Sequence, residues 1–335
     1  MLASNGLVKV TRARETMRGV ILDLDTLGPS DLDLSKIYKL PVEWEIHKLC
    51  QPSDVSKLIS DADIVLINKS PIGELELQKA KRLKFISIFA TGTDIIDLDA
   101  AKRRNIVVSN AVRYGTASVV QHVWALILTL TTQLDNYREA ATNGRWEDSE
   151  SFCVMDYPIS ELHGKILGII GAGELGLGVA KIAKAFGMDV VFASLTGHQH
   201  SRQRNRIPLQ QLLAKSDIVS LHCPLTSLTN RLIGHNELTL MKKTSILINT
   251  ARGALVDEVA LKEALITGKI AGAATDVLSE EPPLDGNILL DKSIPNLVIT
   301  PHVAWIAKES RQRLLDQVAG NIAAFLAGRP RNKVC

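Results

Sequence analysis

Three side chains in the C-terminal half of the sequence could together carry out proton and hydride chemistry. Arg252, Glu281 and His302 each follow, within a few residues, an apolar run of strand length. These runs are Ser245–Asn249, Gly272–Val277 and Leu297–Thr300. Hydride transfer to or from a 2-hydroxy acid needs a histidine that moves the hydroxyl proton, an acid that orients and charges the imidazole, and a guanidinium that binds the carboxylate. Each residue alone is more typical of a structural or solvated group, so this interpretation depends on all three.

The stretch Lys165–Ser194 predicts the element that brings these groups to one edge of a sheet. An apolar run leads directly into GAGELG, then into apolar residues at helical spacing, then into a second apolar run. Strand, glycine turn, helix and strand in this order are typical of a dinucleotide site. Gly171 permits the tight turn, Gly173 lets the backbone approach a pyrophosphate, and Gly176 lets helix and strand pack closely. The alternative is a glycine-rich turn in another kind of α/β domain.

Composition excludes several classes of protein. A chain of 335 residues, 46% hydrophobic and 22% charged, can form two globular domains. Its net charge of +3 is too small to indicate nucleic acid or a membrane surface as a partner. No apolar segment follows the basic N-terminus, so we expect no signal peptide, and Val119–Leu130 is too short to span a bilayer. Scattered cysteines without a CxxC pair favour reduced thiols in the cytoplasm and no metal site. They are Cys50, Cys153, Cys223 and Cys335.

The order of predicted elements indicates the fold class. Residues 1–17 show no period, and we expect a poorly ordered extension there. Strands then alternate with short helices in both halves of the chain, which predicts α/β architecture with two doubly wound parallel sheets. Only the second half carries the glycine turn, so the first half is the candidate substrate domain. Ligands of such folds bind at the carboxyl ends of the strands, which places the substrate in a cleft between the two sheets.

A long helix is predicted from Thr116 to Asn143, with apolar residues on more than one face. A helix of this kind buries two surfaces, which fits either a domain or subunit interface or a core helix. The following segment, Gly144–Pro158, holds several large apolar side chains without periodicity, and we expect it to pack against another protein surface. Together these segments predict a homodimer.

The motifs GAGELG, INTARGALVDE, AATDVLSEEPP and NLVITPHVAW, in this order, resemble the D-isomer-specific 2-hydroxyacid dehydrogenases. The resemblance runs from about residue 19 to residue 334. It implies a flavodoxin-like substrate domain over 18–112 and 304–335, and a Rossmann dinucleotide-binding domain over 113–303. It also implies a homodimer, which is the usual assembly of the family, and a hinge that closes the cleft over the substrate.

The resemblance also implies residue roles. Arg252 would bind the substrate carboxylate, His302 would be the general acid/base, Glu281 its partner, and Asp276 an electrostatic modulator near the nicotinamide. The backbone amides of two residues in the first half would hold the substrate carboxylate: Thr91 and Gly92. The implied contacts to NAD(P) are Thr116, Gly171, Gly173, Glu174, Leu175, Gly176, Ser194, Cys223, Pro224, Thr250, Ala251 and Asp276.

Within the family, YGTASVVQHV, SFCVMDYPISEL and the C-terminal LLDQVAGNIAAFLAGRPRNKV look most like bacterial glycerate dehydrogenases, also called hydroxypyruvate reductases. This implies reduction of hydroxypyruvate or a similar 2-oxo acid to the D-2-hydroxy acid. Candidates for the walls of the substrate pocket are Lys69, Phe152, Met155 and Trp305. Simple packing is the alternative for all four.

The sequence departs from an NAD pattern at one position. An NAD enzyme usually ends the second strand of this unit in an acid that binds the ribose hydroxyls, but Ser194 stands there. A serine does not repel a 2′-phosphate, and basic residues that could hold one follow closely. They are His198, His200, Arg202, Arg204 and Arg206. The hypothesis is that NADPH is accepted, alongside NADH.

Two alternative functions stay open at this point. A NAD(P)-sensing regulator could use the same fold without turnover, since a fold does not fix a function. Another substrate is the second alternative, such as phosphoglycerate, a formate-like donor or lactate. Retention of Arg252, Glu281 and His302 together favours an enzyme.

Overall fold

The computed structural model describes residues 16–194 and 206–335. The chain divides into two compact units, one with the residues up to Tyr114 together with Lys308–Cys335, the other with Gly115–Ala307. Most of the extension expected over residues 1–17 lies outside the described residues, and Met17 already belongs to the first strand. The assignment of a functional domain to each unit stays a proposal.

The first unit contains a sheet of five parallel strands in the order β2-β1-β3-β4-β5. Its strands are β1 (Met17–Ile21), β2 (Val42–Ile46), β3 (Ile64–Ile67), β4 (Phe85–Ile88) and β5 (Val107–Ser109). This is the flavodoxin-like order that the sequence predicted. Every residue of β3 and β4 is buried, because helices cover both faces of a parallel sheet. The covering helices include α1 (Ser35–Tyr38), α2 (Val55–Leu58), α3 (Glu74–Lys79) and α4 (Leu98–Arg103).

The first strand ends earlier than its apolar pattern predicts. The apolar run Val20–Leu24 predicts a strand, but β1 ends at Ile21 and a short 3₁₀ turn begins at Leu24. Between them the buried carboxylate of Asp23 accepts hydrogen bonds from three consecutive backbone amides, at 2.7–3.0 Å. These amides belong to Asn68, Lys69 and Ser70. The Asp23 carboxylate therefore fixes the loop after β3. The backbone leaves the sheet before Asp23, and this brings the carboxylate to that loop.

The second unit contains seven parallel strands in the order β12-β11-β10-β9-β6-β7-β8. They are β6 (Ile166–Ile170), β7 (Asp189–Ser194), β8 (Arg206–Pro208), β9 (Ile218–Leu221), β10 (Ile246–Asn249), β11 (Gly272–Thr275) and β12 (Leu297–Ile299). Renumbered from β6, this is the 3-2-1-4-5-6 order of a Rossmann sheet, extended by one strand. The fold class predicted from the sequence is confirmed. The edge strand β8 was missed because three residues ending in proline give no periodic signal.

The helices of the second unit correct one expectation. They are α5 (Thr116–Thr132), α6 (Leu134–Thr142), α7 (Glu174–Ala185), α8 (Leu209–Lys215), α9 (His235–Leu240) and α10 (Glu258–Ile266). The single helix expected over Thr116–Asn143 is two helices with a 60° bend, because Gln133 adopts a left-handed conformation with φ of +53°. No single helix among the described residues is long and apolar enough to cross a membrane, and the bent pair α5–α6 passes by length and composition only.

The C-terminal helix α11 (Lys308–Leu326) packs within the first unit. The ring of Phe325 stacks on Phe85 of β4 with centroids 4.5 Å apart. The buried Asn321 side chain donates to the carbonyl of Asn110, just after β5, at 2.9 Å. An apolar stack and a satisfied buried amide hold the two distant parts of the chain together.

Candidate active site

The carboxyl ends of five strands in the second unit form one aligned row. Strand register pairs their last residues across the sheet. These residues are Ile170, Leu221, Asn249, Thr275 and Ile299. Neighbouring strands lie about 4.8 Å apart, so the row spans roughly 19 Å. The residues that follow it along the chain are Gly171, His222, Thr250, Asp276 and Thr300. All motifs predicted in this unit therefore leave the sheet at the same edge.

The glycine turn forms a close-packed cradle at this edge. Gly171 has φ of +110°, and a Cβ there would collide with the backbone of His222 and Cys223. A Cβ on Gly176 would collide with the carbonyl oxygen of Gly171, whereas a Cβ on Gly173 would meet open space. The first and third glycines thus serve packing, and the second leaves room for a ligand. Helix α7 begins directly after Gly173 and offers its amides and positive dipole end to an anion there.

Two polar atoms at this edge of the sheet are buried without a partner among the described residues. They are Nδ1 of His222 and Oγ1 of Thr250. The other ring nitrogen of His222 lies 2.9 Å from the Ser220 hydroxyl, and burial lowers the pKa of His222 to about 4, so the ring is neutral at pH 7. Unpaired buried polar atoms are costly, which favours a ligand that hydrogen-bonds to them. Together with the room at Gly173, these atoms fit a dinucleotide.

Further predicted cofactor contacts lie at the same edge. The Thr116 hydroxyl, at the start of α5, donates to the carboxylate of Glu174, the first residue of α7. Two helix N-termini therefore meet beside the glycine turn. Cys223 is buried, and burial raises the pKa of its thiol to about 11, so it acts there as a small uncharged group. Pro224 next to it is exposed, while Leu175 and Ala251 are half-buried.

The end of β7 carries the departure from the NAD pattern. Ser194 is exposed as the last residue of β7 and pairs with Pro208 of β8. Arg206 of the predicted basic cluster donates to the carbonyl of Ala193 at 3.2 Å, which gives it a structural use. The rest of the cluster lies outside the described residues: His198, His200, Arg202 and Arg204.

His302 and Glu281 form a direct pair. Nδ1 of His302 lies 2.5 Å from Oε2 of Glu281, and the side chains are 31% and 29% exposed. The other carboxylate oxygen of Glu281 accepts from the amide of Leu278 at 2.9 Å. Glu281 therefore fixes the orientation of the imidazole, and Nε2 is the nitrogen that can exchange a proton with a substrate.

Asp276 holds the loop that carries His302. Its carboxylate is 1% exposed and accepts from the Thr300 hydroxyl at 2.5 Å and from the amides of Val303 and Ala304 at 2.9 Å each. Its carbonyl accepts from the amide of His302 at 2.8 Å. His302 has φ of +55°, a conformation that is uncommon for residues other than glycine and that surrounding contacts must maintain. Asp276 supplies those contacts. The electrostatic role expected of it stays a prediction.

A second group lies behind this loop, and no sequence pattern indicates it. Nε2 of His122, on α5, lies 2.9 Å from the Thr300 hydroxyl and 3.5 Å from the Asp276 carboxylate. Burial alone raises the pKa of Asp276, but hydrogen bonds from His122, Thr300 and the loop amides outweigh burial and hold it below its usual value. The Ser118 hydroxyl, one helical turn before His122, donates to the carbonyl of Ala304 at 2.6 Å. Helix α5 thus braces the histidine loop.

Arg252 is positioned by the asparagine that ends β10. The Asn249 side chain donates to the carbonyl of Arg252 at 2.9 Å and accepts from the amide of Ala251 at 3.1 Å. The next residue is Gly253, where a Cβ would collide with the backbone of Leu278 and Ser279. The turn that carries Arg252 therefore packs directly against the segment that leads to Glu281.

Comparison with known proteins identifies the family of this chain. Residues 124–304, more than half of the chain, match the family model described as D-isomer specific 2-hydroxyacid dehydrogenase, NAD binding domain. The chain belongs to this family. The family resemblance inferred from the sequence is confirmed, and this D-2-hydroxyacid dehydrogenase is an NAD(P)-dependent oxidoreductase of CH–OH groups.

Relatives of this dehydrogenase cover nearly the whole chain. A glycerate dehydrogenase of Methylorubrum extorquens is 42% identical over 95% of this chain and 99% of its own. A hydroxypyruvate reductase of Blautia hydrogenotrophica is 38% identical with the same coverage. Among solved structures, an NADPH-dependent glyoxylate/hydroxypyruvate reductase from Sinorhizobium meliloti, in complex with NADP and malonate, has a TM-score of 0.80, with 26% identity over 96% of this chain and 97% of its own.

The remaining predicted substrate residues are described within their own units. In the first unit of the dehydrogenase, the amides of Thr91 and Gly92 donate to no acceptor in the part of the chain that the structure describes. The Thr91 hydroxyl donates to the carbonyl of Ala111 at 2.7 Å, which fixes this loop, and Lys69 is exposed. In the second unit, Trp305 is half-buried against the core. Their roles toward the substrate stay predictions. The described residues contain no group of three or more His, Cys, Asp or Glu that could hold a metal ion.

Proposed function

We propose that this dehydrogenase reduces hydroxypyruvate, or a similarly small 2-oxo acid, to the D-2-hydroxy acid. The observation that carries the proposal is the contact of 2.5 Å between His302 and Glu281, at the same sheet edge as the glycine turn. A sensor of the cofactor has no need for a paired imidazole at this edge. The substrate is supported by the relatives named glycerate dehydrogenase and hydroxypyruvate reductase.

In the proposed mechanism, the glycine turn Gly171–Gly176 and the start of α7 would hold the dinucleotide, which would supply the hydride for the carbonyl carbon of the substrate. His302, oriented by Glu281, donates the proton on Nε2 to the carbonyl oxygen. Arg252 binds the substrate carboxylate through two parallel hydrogen bonds. Asp276 keeps the imidazole in position throughout, because it holds the backbone on both sides of it.

The proposed cofactor is NADPH, with NADH accepted beside it. Ser194 at the end of β7 brings no negative charge toward a 2′-phosphate, and it is exposed. The relative from Sinorhizobium meliloti is described as NADPH-dependent, which supports this assignment. An acid at the same position would bind the ribose hydroxyls and repel the phosphate.

A panel of 2-oxo acids with NADH and with NADPH, followed at the nicotinamide absorbance, tests the substrate and the cofactor together. We expect hydroxypyruvate to be among the best substrates and NADPH to give kcat/KM at least equal to NADH. Ser194→Asp should lower the ratio of kcat/KM with NADPH to kcat/KM with NADH by about tenfold or more, because the carboxylate repels the 2′-phosphate; tenfold corresponds to about 1.4 kcal/mol. Ser194→Ala is the matched control and should leave the ratio unchanged.

Three results of this panel would contradict parts of the proposal. A strong preference of the wild type for NADH would contradict the cofactor assignment. Turnover of the 2-oxo acids that correspond to lactate or phosphoglycerate, without turnover of hydroxypyruvate, would contradict the proposed substrate. Binding of NADPH without turnover of any 2-oxo acid would favour the NAD(P)-sensing regulator.

We further propose a homodimer formed through the arm, the segment Gly144–Pro158 that follows α6. We also propose a cytoplasmic location, where the four free cysteines stay reduced. Phe152 and Met155 in this arm are 89% and 80% exposed, so they do not pack within the chain. Helix α5, by contrast, buries its apolar residues in the core of its own unit and needs no partner. Exposed apolar side chains of this size mark an interaction surface.

Sedimentation velocity tests the dimer. Phe152→Glu with Met155→Glu should convert a dimer into a monomer, because two charges would be buried at the interface. Leu75→Glu is the matched control, since Leu75 on α3 is 67% exposed and lies outside the arm. A wild-type monomer, or a double variant that stays dimeric, would contradict the arm as the interface.

A further inference from the structure

We infer that Glu258 is a positioning residue for the pair formed by Glu281 and His302. This inference rests on the proposed function of that pair. Glu258 is the first residue of α10, and its carboxylate binds the segment 278–287, which carries Glu281. Glu258 contacts neither Glu281 nor His302, and it acts on them through the backbone of this segment.

Three hydrogen bonds join Glu258 to this segment on both sides of Glu281. Oε1 accepts from the amide of Ser279 at 2.8 Å, and Oε2 accepts from the Ser279 hydroxyl at 2.7 Å. Oε2 also accepts from the side chain of Asn287 at 3.0 Å. One carboxylate therefore holds two points of the segment that are eight positions apart, and residues 278–287 form no helix or strand of their own before the 3₁₀ turn at Ile288–Leu290.

The segment held by Glu258 is the one that orients Glu281. Leu278 donates its amide to Glu281, and the backbone of Leu278 and Ser279 packs against Gly253, the residue after Arg252. A shift of this segment moves Glu281 away from His302 and loosens the turn that carries Arg252. Shifts of about 1 Å in a reacting constellation can cost a hundredfold in rate.

A purely local role for Glu258 as a helix cap is already filled by its neighbour. The Asp257 side chain accepts from the amides of Val259 and Ala260, at 3.1 Å each. These are the donors that an N-cap satisfies at the start of a helix. The Glu258 carboxylate is turned away from its own helix, toward the segment of Glu281.

The charged groups around His302 show which contact the variants disturb. Glu281 contacts its ring, Asp276 binds its loop, and His122 lies behind the loop. The segment itself also carries Glu280 and Asp285, and Arg252 follows a neighbouring strand. If Glu281 moves away, the imidazole loses the carboxylate that orients it for proton transfer. Proton transfer belongs to the chemical step, so kcat should fall by a larger factor than KM rises.

The test compares Glu258→Ala and the isosteric Glu258→Gln with wild type through kcat and KM for the 2-oxo acid. In Glu258→Ala kcat should fall about tenfold or more, and the loss should be smaller in Glu258→Gln, where one hydrogen bond acceptor is retained. Glu263→Gln, on the exposed face of the same helix, is the matched control and should keep the wild-type kcat and KM. In a Glu281→Gln background, Glu258→Ala should give little further loss of kcat, because both act through one pair.

The NMR resonance of the proton shared by Nδ1 of His302 and the Glu281 carboxylate gives a readout that does not need turnover. This resonance should move or weaken in Glu258→Ala as it does in Glu281→Gln. A folded Glu258→Ala with wild-type kcat and resonance, beside a changed Glu281→Gln, would overturn the inference; if Glu258→Ala does not fold, the Gln variant decides in the same way. Absence of turnover in the wild type would instead contradict the proposed function, and the resonance would still decide the role of Glu258.

Discussion

Replacement of His302 by glutamine should lower kcat for reduction of the 2-oxo acid by about a hundred- to ten-thousandfold. Glutamine retains a polar side chain of similar reach but cannot donate the proton that the carbonyl oxygen needs. His302 is not part of the glycine turn, so the Kd of NADPH should stay within about twofold of wild type, a difference below 0.5 kcal/mol. Stopped-flow turnover and fluorescence titration of NADPH measure the two quantities on the same protein.

The chain offers a matched control for this substitution. His235 on α9 also faces a carboxylate, with Nδ1 3.6 Å from Glu263, but the pair is half-exposed and lies outside the row of strand ends. His235→Gln should leave kcat unchanged. Activity of His302→Gln near that of wild type would show that another group supplies the proton.

Replacement of Asp276 by asparagine should destabilise the second unit and impair catalysis together. The buried carboxylate is the acceptor for two loop amides and a hydroxyl, and an asparagine amide would turn an NH₂ group toward donors. Loss of a charged acceptor that leaves buried donors unpaired should lower the free energy of unfolding by about 3 kcal/mol. The left-handed backbone of His302 would also lose its support, so kcat should fall at least about tenfold.

Urea unfolding as a function of pH checks the electrostatic part of this prediction. Hydrogen bonds hold the pKa of Asp276 in the folded protein below its ordinary value of 3.8. A carboxyl with a lowered folded pKa contributes stability that is fully present above its unfolded value and is lost as the pH falls through the folded value. The difference between wild type and Asp276→Asn should therefore be full at pH 7 and shrink only below about pH 4.

A substitution at Asp217 is the control that separates an effect on stability from an effect on activity. It lies just before β9, at the opposite end of the sheet, and accepts from the amide of Ile166 and from Lys242 at 2.8 Å each. Burial raises its pKa, but these contacts outweigh burial and lower it, as for Asp276. Asp217→Asn should lower stability while kcat of the folded enzyme is retained. Equal loss of kcat in both variants would contradict a specific role for Asp276.

The sequence by itself determined the two parallel sheets, the glycine turn and the residues at the strand ends. These features follow from local patterns. An apolar run such as Ile64–Ile67 is buried on both faces wherever it pairs, and parallel strands bring their carboxyl ends to one edge in any such sheet. The order of Gly171, Arg252, Glu281 and His302 along the chain was therefore enough to predict that they share an edge.

Only the tertiary structure decided which side chains hold that edge in place. Asp276 binds the loop of His302, His122 supports it from α5, and Glu258 reaches the segment of Glu281. These partners are 21 to 178 residues apart in the chain, and no local period records a hydrogen bond over such distances. The break at Gln133 belongs to the same class, because the left-handed conformation of one polar residue overrides a continuous helical pattern. Chemistry was encoded in residue types and their spacing, whereas the precision of the site depends on contacts that exist only once the chain has folded.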